Sequence, residues 1–389
     1  MGDRSGEGKA YNNLGNAQDS LGNFRTALNY CERSLKLAKE LGDRSEEGVA
    51  YGNLGISYHS LGDLKTAMHY HERSMKIAKE LGERSREGEE YANLGISCHS
   101  LGDFKTALDY HTRCMKIAKE LGDRLAEGKA YNNLGNTQYS LGNFKTAIDF
   151  HEQSLKIAKE LGDRSGEEQA YSNLGGDLNS VGKFKTAKDY HERSLKIAKE
   201  LGDRRGEGRA YGDLGIVHLS LGNFKTAIDY HERHLEIARE LGNRSGEGIA
   251  YSNLGDAHNR MGSFKTAIDY NERSLKISKE LGDRFGEGEE YGKLGISHSS
   301  LGNFKTAIEY HESHLKIAKE LGHRSGVQTA YINLGSAHER LGDFKAAIVY
   351  HERHLNITKE LGDRAEEGYA YRNLGICHSS LGDFKTAID

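Results

Sequence analysis

Nineteen histidines occur in the sequence, and seven of them share one register: His71, His111, His151, His191, His231, His311 and His351. An imidazole can serve as a general base or bind a metal. His231 with His234, His311 with His314, and His351 with His354 stand at i,i+3, a spacing that puts both rings on one helix face, where they could chelate a soft divalent ion. Spacing fixes no acid behind them, and the same letters recur throughout, so packing between helices is the simpler expectation. Serine, histidine and aspartate abound but are equally repetitive. There is no glycine-rich phosphate loop, no nucleophile elbow and no constellation that occurs once. Cys31, Cys98, Cys114 and Cys377 have no C-x-x-C spacing and read as free thiols of a reducing compartment. The expectation is a chain with no catalytic residue, no cofactor and no metal.

Hydrogen-bonding chemistry recurs more regularly. Asn13 has counterparts in Asn53, Asn93, Asn133, Asn173, Asn253, Asn333 and Asn373, interrupted only by Asp213 and Lys293. A side-chain amide both donates and accepts, so such a ladder can satisfy the N–H and C=O groups of an extended peptide whatever its sequence. The preceding position is mostly small (Gly52, Ala92, Ser172, Gly212, Ser252, Gly292) and is expected to leave room for an approaching main chain. The alternative is that each asparagine bonds a neighbouring helix and stiffens the stack. Specificity would come from positions that vary, such as Lys9, Val49, Glu89, Lys129, Gln169, Arg209 and Ile249. Lys129 and Arg209 would pair with acids on a ligand, and Glu89-Glu90 and Glu289-Glu290 would repel them. Ile56, Ile96 and Ile216 would act as apolar sockets or pack between adjacent helices.

The elements that position these residues follow from a forty-residue repeat without insertion or deletion. Its units are 3–42, 43–82, 83–122, 123–162, 163–202, 203–242, 243–282, 283–322, 323–362 and a truncated 363–389, read as one continuous array. Within a unit, Tyr51, Leu54, Tyr58 and Leu61 recur at spacings of three and four, as do Leu64, Ala67, Met68, His71, Met75 and Ala78, which predicts two amphipathic helices. Gly-Asp and Gly-Asn pairs punctuate them: glycine ends one helix, and the Asp or Asn accepts backbone N–H bonds at the start of the next. Linkers this short force antiparallel neighbours, and each pair hides its apolar stripe only when the next stacks on it. Proline is absent, so helices run uninterrupted. On this geometry Lys9, Asn12, Asn13 and Asn16 turn toward a concave side.

Composition bounds the partners. Hydrophobic residues make up 36% and charged residues 29%, with a net charge of −4 and both signs interleaved. That gives no membrane span and no single-sign field for nucleic acid. No basic-then-apolar leader follows Met1, so the expected location is the cytoplasm.

The strings Ala130-Tyr-Asn-Asn-Leu-Gly-Asn136 and Leu141-Gly-Asn-Phe-Lys-Thr-Ala147, repeated along essentially the whole chain, resemble the tetratricopeptide repeat. The forty-residue length and the Asn-Leu-Gly-Asn run are similar, more narrowly, to the Leu-Gly-Asn repeats of the Partner of Inscuteable family and to large animal tetratricopeptide arrays. Tyr stands where the general family prefers Trp, Lys39 and its equivalents replace a terminal proline, and His often replaces an aromatic. No Gα-binding tail motif is present, so that regulation does not carry over. The resemblance implies an all-α, right-handed α-solenoid of about ten helix pairs that binds an extended or disordered segment of a partner protein along its concave face. No small-molecule substrate, nucleic acid or membrane is expected. A structural spacer or sensing arm is the alternative. A single-stranded RNA reader ranks third, since the Tyr11-type aromatics belong to the core.

Overall fold

The computed structural model describes residues 3–388, and every element among them is a helix. Packing divides the chain into two compact bodies, residues 1–202 and 203–389. The first holds α1 (Arg4–Ser20), α2 (Phe24–Leu41), α3 (Arg44–Ser60), α4 (Leu64–Leu81), α5 (Arg84–Ser100), α6 (Phe104–Leu121), α7 (Arg124–Ser140), α8 (Phe144–Leu161), α9 (Arg164–Ser180) and α10 (Phe184–Leu201). The second holds α11 (Arg204–Ser220), α12 (Phe224–Glu240), α13 (Arg244–Arg260), α14 (Phe264–Leu281), α15 (Arg284–Ser300), α16 (Phe304–Glu320), α17 (Arg324–Leu341), α18 (Phe344–Leu361), α19 (Arg364–Ser380) and α20 (Phe384–Ile388).

The punctuation works largely as the sequence implies. Gly42 ends α2 at φ 68°, where a residue with a Cβ would be strained, and Asp43 then accepts the Glu46 N–H at the start of α3. Asp63 and Asp103 cap second helices in the same way. Asn23 and Asn143 do not cap. Their amides turn back to donate to Gln18 and Gln138, at 2.9 and 2.8 Å, which holds the preceding helix end instead.

Each core is shared by three helices. In the first body Cys31 of α2 packs with Tyr51 and Leu54 of α3 and Ile77 of α4; in the second, Leu235 of α12 packs with Tyr251 and Leu254 of α13 and Ile277 of α14. A repeat therefore completes its core only against its predecessor. Leu54 and Leu254 are fully buried, worth about 1.5–3 kcal/mol each. Within each of the nine full repeats an arginine at the start of the first helix bridges a glutamate at the end of the second, as in Arg44–Glu80 at 2.6 Å and Arg244–Glu280 at 2.7 Å. These pairs are solvent-exposed, so water and salt screen them and they add little to stability. First helices of successive repeats also touch directly, α3 with α5 and α13 with α15 for instance, whereas among the described residues successive second helices show no comparable contact. The stack in each body closes up on its first-helix side, which brings the asparagine register of neighbouring repeats together.

Candidate functional site: the first-helix stripe

The positions of Lys9, Asn13 and Asn16 lie at i, i+4 and i+7 of the first helix and form one face in every repeat. Lys129 and Arg209 are exposed there, and Ile56, Ile96 and Ile216 are 41, 39 and 39% exposed. Asn53, Asn93, Asn133, Asn173, Asn253 and Asn333 are half-buried at the base of the stripe, Asn13 is exposed and Asn373 is buried.

Clefts open between successive first helices and gather part of this set. In the first body Glu89, Lys129 and Asn133 line a cleft of about 280 Å³, and Lys129 and Gln169 border one of about 620 Å³. In the second body Arg209, Asp213, Ile216, Ile249 and Asn253 line one of about 330 Å³, and Ile296, Asn333 and Arg340 one of about 470 Å³. In each of these two clefts of the second body, basic, apolar and amide groups thus stand together. Ile56, Ile96, Asn13, Asn53, Asn93, Asn173 and Asn373 are not among the residues lining these clefts.

The amides are not all equivalent. Asn53 donates to Asn12 at 3.3 Å and Asn173 to Asn132 at 2.7 Å, so these two tie one repeat to the one before it. Asn93, Asn133 and Asn253 make no such bond among the described residues, and the Asn333 Nδ2 is buried without a partner beside its cleft. Lys293, which takes the asparagine register in its repeat, donates to Asp256 at 3.0 Å. Burial pulls its proton affinity down, but the Asp256 and Glu290 carboxylates outweigh that and hold it above the ordinary lysine value.

The small position before the asparagine is not uniformly the gap for a ligand that the sequence suggested: Ala92 and Gly212 line the clefts described above, but Gly52 and Gly292 do not. A Cβ on Gly52 would meet Glu90 Oε1 at 2.6 Å, and one on Gly212 or Gly292 would meet His234 or His314 at 3.1 Å. At these three positions a side chain of a neighbouring helix already stands close. Asn12 likewise is buried rather than open, donating to Glu46 at 2.5 Å.

The histidine register is core. His71, His111, His151, His231, His311 and His351 are at most 2% exposed, each set over a glycine of the partner helix. Two have a carboxylate within hydrogen-bond distance: His71 Nδ1 lies 2.7 Å from Glu90, and His151 Nδ1 lies 2.6 Å from Asp177. Burial holds His111 and His311 down to about 4 and His231 to about 3, so these rings are neutral. Among the described residues none of the three i,i+3 pairs meets a third ligand as a pair. The one grouping of three metal-capable side chains among the described residues takes His351 alone and joins it to Glu339 and Cys377, a set drawn from three helices that no short-range spacing reveals. No described helix is long and apolar enough to cross a membrane.

The sequence profile described as tetratricopeptide repeat matches residues 6–80, 90–160, 166–240, 246–320 and 326–389, nearly the whole chain. No curated relative matches the sequence. Among solved structures, a signal-transduction ATPase with numerous domains and a tetratricopeptide repeat sensor, from Pyrococcus horikoshii, is similar at a TM-score of 0.65 and 16% identity, over 94% of this chain and 55% of that one. A Rap protein complexed with competence and sporulation factor is similar at 0.64 and 16%, over 92% of this chain and 99% of the other. The apo quorum sensor NprR from B. thuringiensis follows at 0.61 and 13%, over 90 and 97%. At these identities the likeness is one of fold.

Proposed function

The chain belongs to the tetratricopeptide repeat family, and from that premise we propose that it is a non-catalytic scaffold whose first-helix stripe holds an extended segment of a partner protein. The observation that carries this reading is the set of clefts between successive first helices, where half-buried amides without helix partners, Asn133 and Asn253, stand beside exposed Lys129, Arg209 and Ile216. An extended backbone laid across the stripe of either body would exchange hydrogen bonds with its amides; acidic side chains would meet Lys129 in the first body or Arg209 in the second, and in the second apolar ones would enter the cleft at Ile216 and Ile249. The solved neighbours that carry a sensor repeat or a bound factor fit a domain of the interaction or sensing class.

The second reading, a spacer or sensing arm, draws on Asn53 and Asn173, whose amides are spent on the preceding repeat. The two separate in one experiment. A diverse library of unstructured peptides is panned on the intact chain and on Asn93→Ala/Asn133→Ala, with far-ultraviolet circular dichroism confirming equal helicity. Peptides enriched on the parent and lost on the variant support the scaffold; enrichment on neither, or equally on both, leaves the spacer reading in its place.

A further inference from the structure

We propose that Glu339, His351 and Cys377 form a binding site for a single zinc-class divalent cation. One carboxylate oxygen, one imidazole nitrogen and one sulfur from this trio lie within 4.8 Å of one another, contributed by α17, α18 and α19 in turn. His351 and Cys377 are fully buried and Glu339 is half-buried, so the site is closed on the protein side and reachable from the carboxylate side.

The second observation is that both ring nitrogens of His351 are buried without a hydrogen-bond partner, and the nearest charge, Glu339, stands 4.0 Å from Nε2. An imidazole in that condition has lost its water and gained nothing in exchange. The same register elsewhere shows how the fold satisfies such a ring with hydrogen bonds. His151 has Asp177 at 2.6 Å on one nitrogen and Asn136 at 3.2 Å on the other. Where that aspartate stands, the repeat of His351 presents the thiol of Cys377, a poor acceptor for N–H but a strong ligand once ionised. His231 also lacks partners, yet the equivalent position facing it is Ala257, so of these two rings only His351 has a sulfur and a carboxylate within reach.

Imidazole, thiolate and carboxylate together suit zinc and its borderline neighbours, with a fourth position left to water. The His351 imidazole would offer a ring lone pair to the ion, and the Cys377 thiol would bind as its thiolate. Binding would release the Cys377 proton to solvent, and a small inward movement of the three side chains would bring them to bonding distance. The ion would fasten α19 to the pair before it.

The test titrates cobalt(II), a spectroscopic stand-in for zinc, into the chelator-treated full chain. The expected result is one equivalent bound, with thiolate-to-cobalt charge transfer and the strong visible bands of a tetrahedral site. Cys377→Ser should abolish the charge-transfer band and Cys98→Ser should leave it intact. His351→Asn and Glu339→Gln should each weaken binding at least about 10-fold. The array itself carries Ser297 and Asn271 in the registers of Cys377 and His351, so these variants introduce residues the fold already accommodates. A parent that shows no charge-transfer band with stoichiometric cobalt overturns the proposal, as does a band that survives Cys377→Ser.

Discussion

The ring of His231 occupies the space in which a side chain at Gly215 would begin: a Cβ there would lie 2.3 Å from Cε1. The glycine of the Leu-Gly motif therefore exists to let the two helices of a repeat meet around an imidazole. Gly215→Ala is expected to destabilise the chain by about 1–3 kcal/mol, because the ring is enclosed and must move with its helix. Gly176 provides the contrast. A Cβ there meets nothing within 4 Å, so Gly176→Ala should be neutral or stabilise by up to about 1 kcal/mol through helix propensity. Urea unfolding followed by circular dichroism checks both; equal effects would mean that the close packing at Gly215 relaxes freely.

Acid should unfold the array from the inside. His111, His231 and His311 are held at about 4, 3 and 4, by burial first and by His99, His234 and His314 second. Their folded proton affinity is below the unfolded value of about 6.5, so the unfolded chain takes up protons first as pH falls. Stability is complete above about pH 6.5 and declines as pH falls, down to about pH 4 for His111 and His311 and about pH 3 for His231, with roughly 2 kcal/mol per ring already lost near pH 5. The triple variant His111→Asn/His231→Asn/His311→Asn, which copies the asparagine that Asn271 already places in this register, should shift the acid midpoint downward. An unchanged midpoint would place the acid sensitivity elsewhere.

The asparagines should divide into two classes. Asn53→Ala and Asn173→Ala each remove a bond to the preceding repeat and should cost about 0.5–1.5 kcal/mol. Asn93→Ala and Asn253→Ala remove no such bond and should stay within about 0.5 kcal/mol of the parent. Thermal or urea unfolding of the four single variants decides it, and four equal losses would make the whole register structural.

Much of this was legible in the sequence. The forty-residue period placed Tyr51, Leu54 and Ala67 on apolar faces at spacings of three and four, and they are buried as expected. The glycine ends were equally plain, since Gly42 and Gly62 sit where only a left-handed residue closes the turn. What stayed hidden depends on contacts between helices. Nothing in the register of Gly52 says that Glu90 from the next repeat fills the space above it. Asn23 and Asp63 look interchangeable as caps, but the neutral amide finds a better partner in Gln18 than in the helix N-terminus. Glu339, His351 and Cys377 are too far apart in sequence for any spacing rule, and helix stacking alone joins them.

The central claim is that the first-helix amides grip a peptide by its backbone. The direct measurement takes a peptide enriched on the intact chain and compares its affinity, by fluorescence anisotropy, with that of copies carrying single backbone N-methyl groups along its length. N-methylation removes one N–H donor and leaves every side chain in place, so a loss of at least about 10-fold at alternating positions, absent with Asn93→Ala/Asn133→Ala, is the expected result. Copies that all bind as tightly as the parent peptide would contradict it, and would mean that whatever the stripe holds is not read through its main chain.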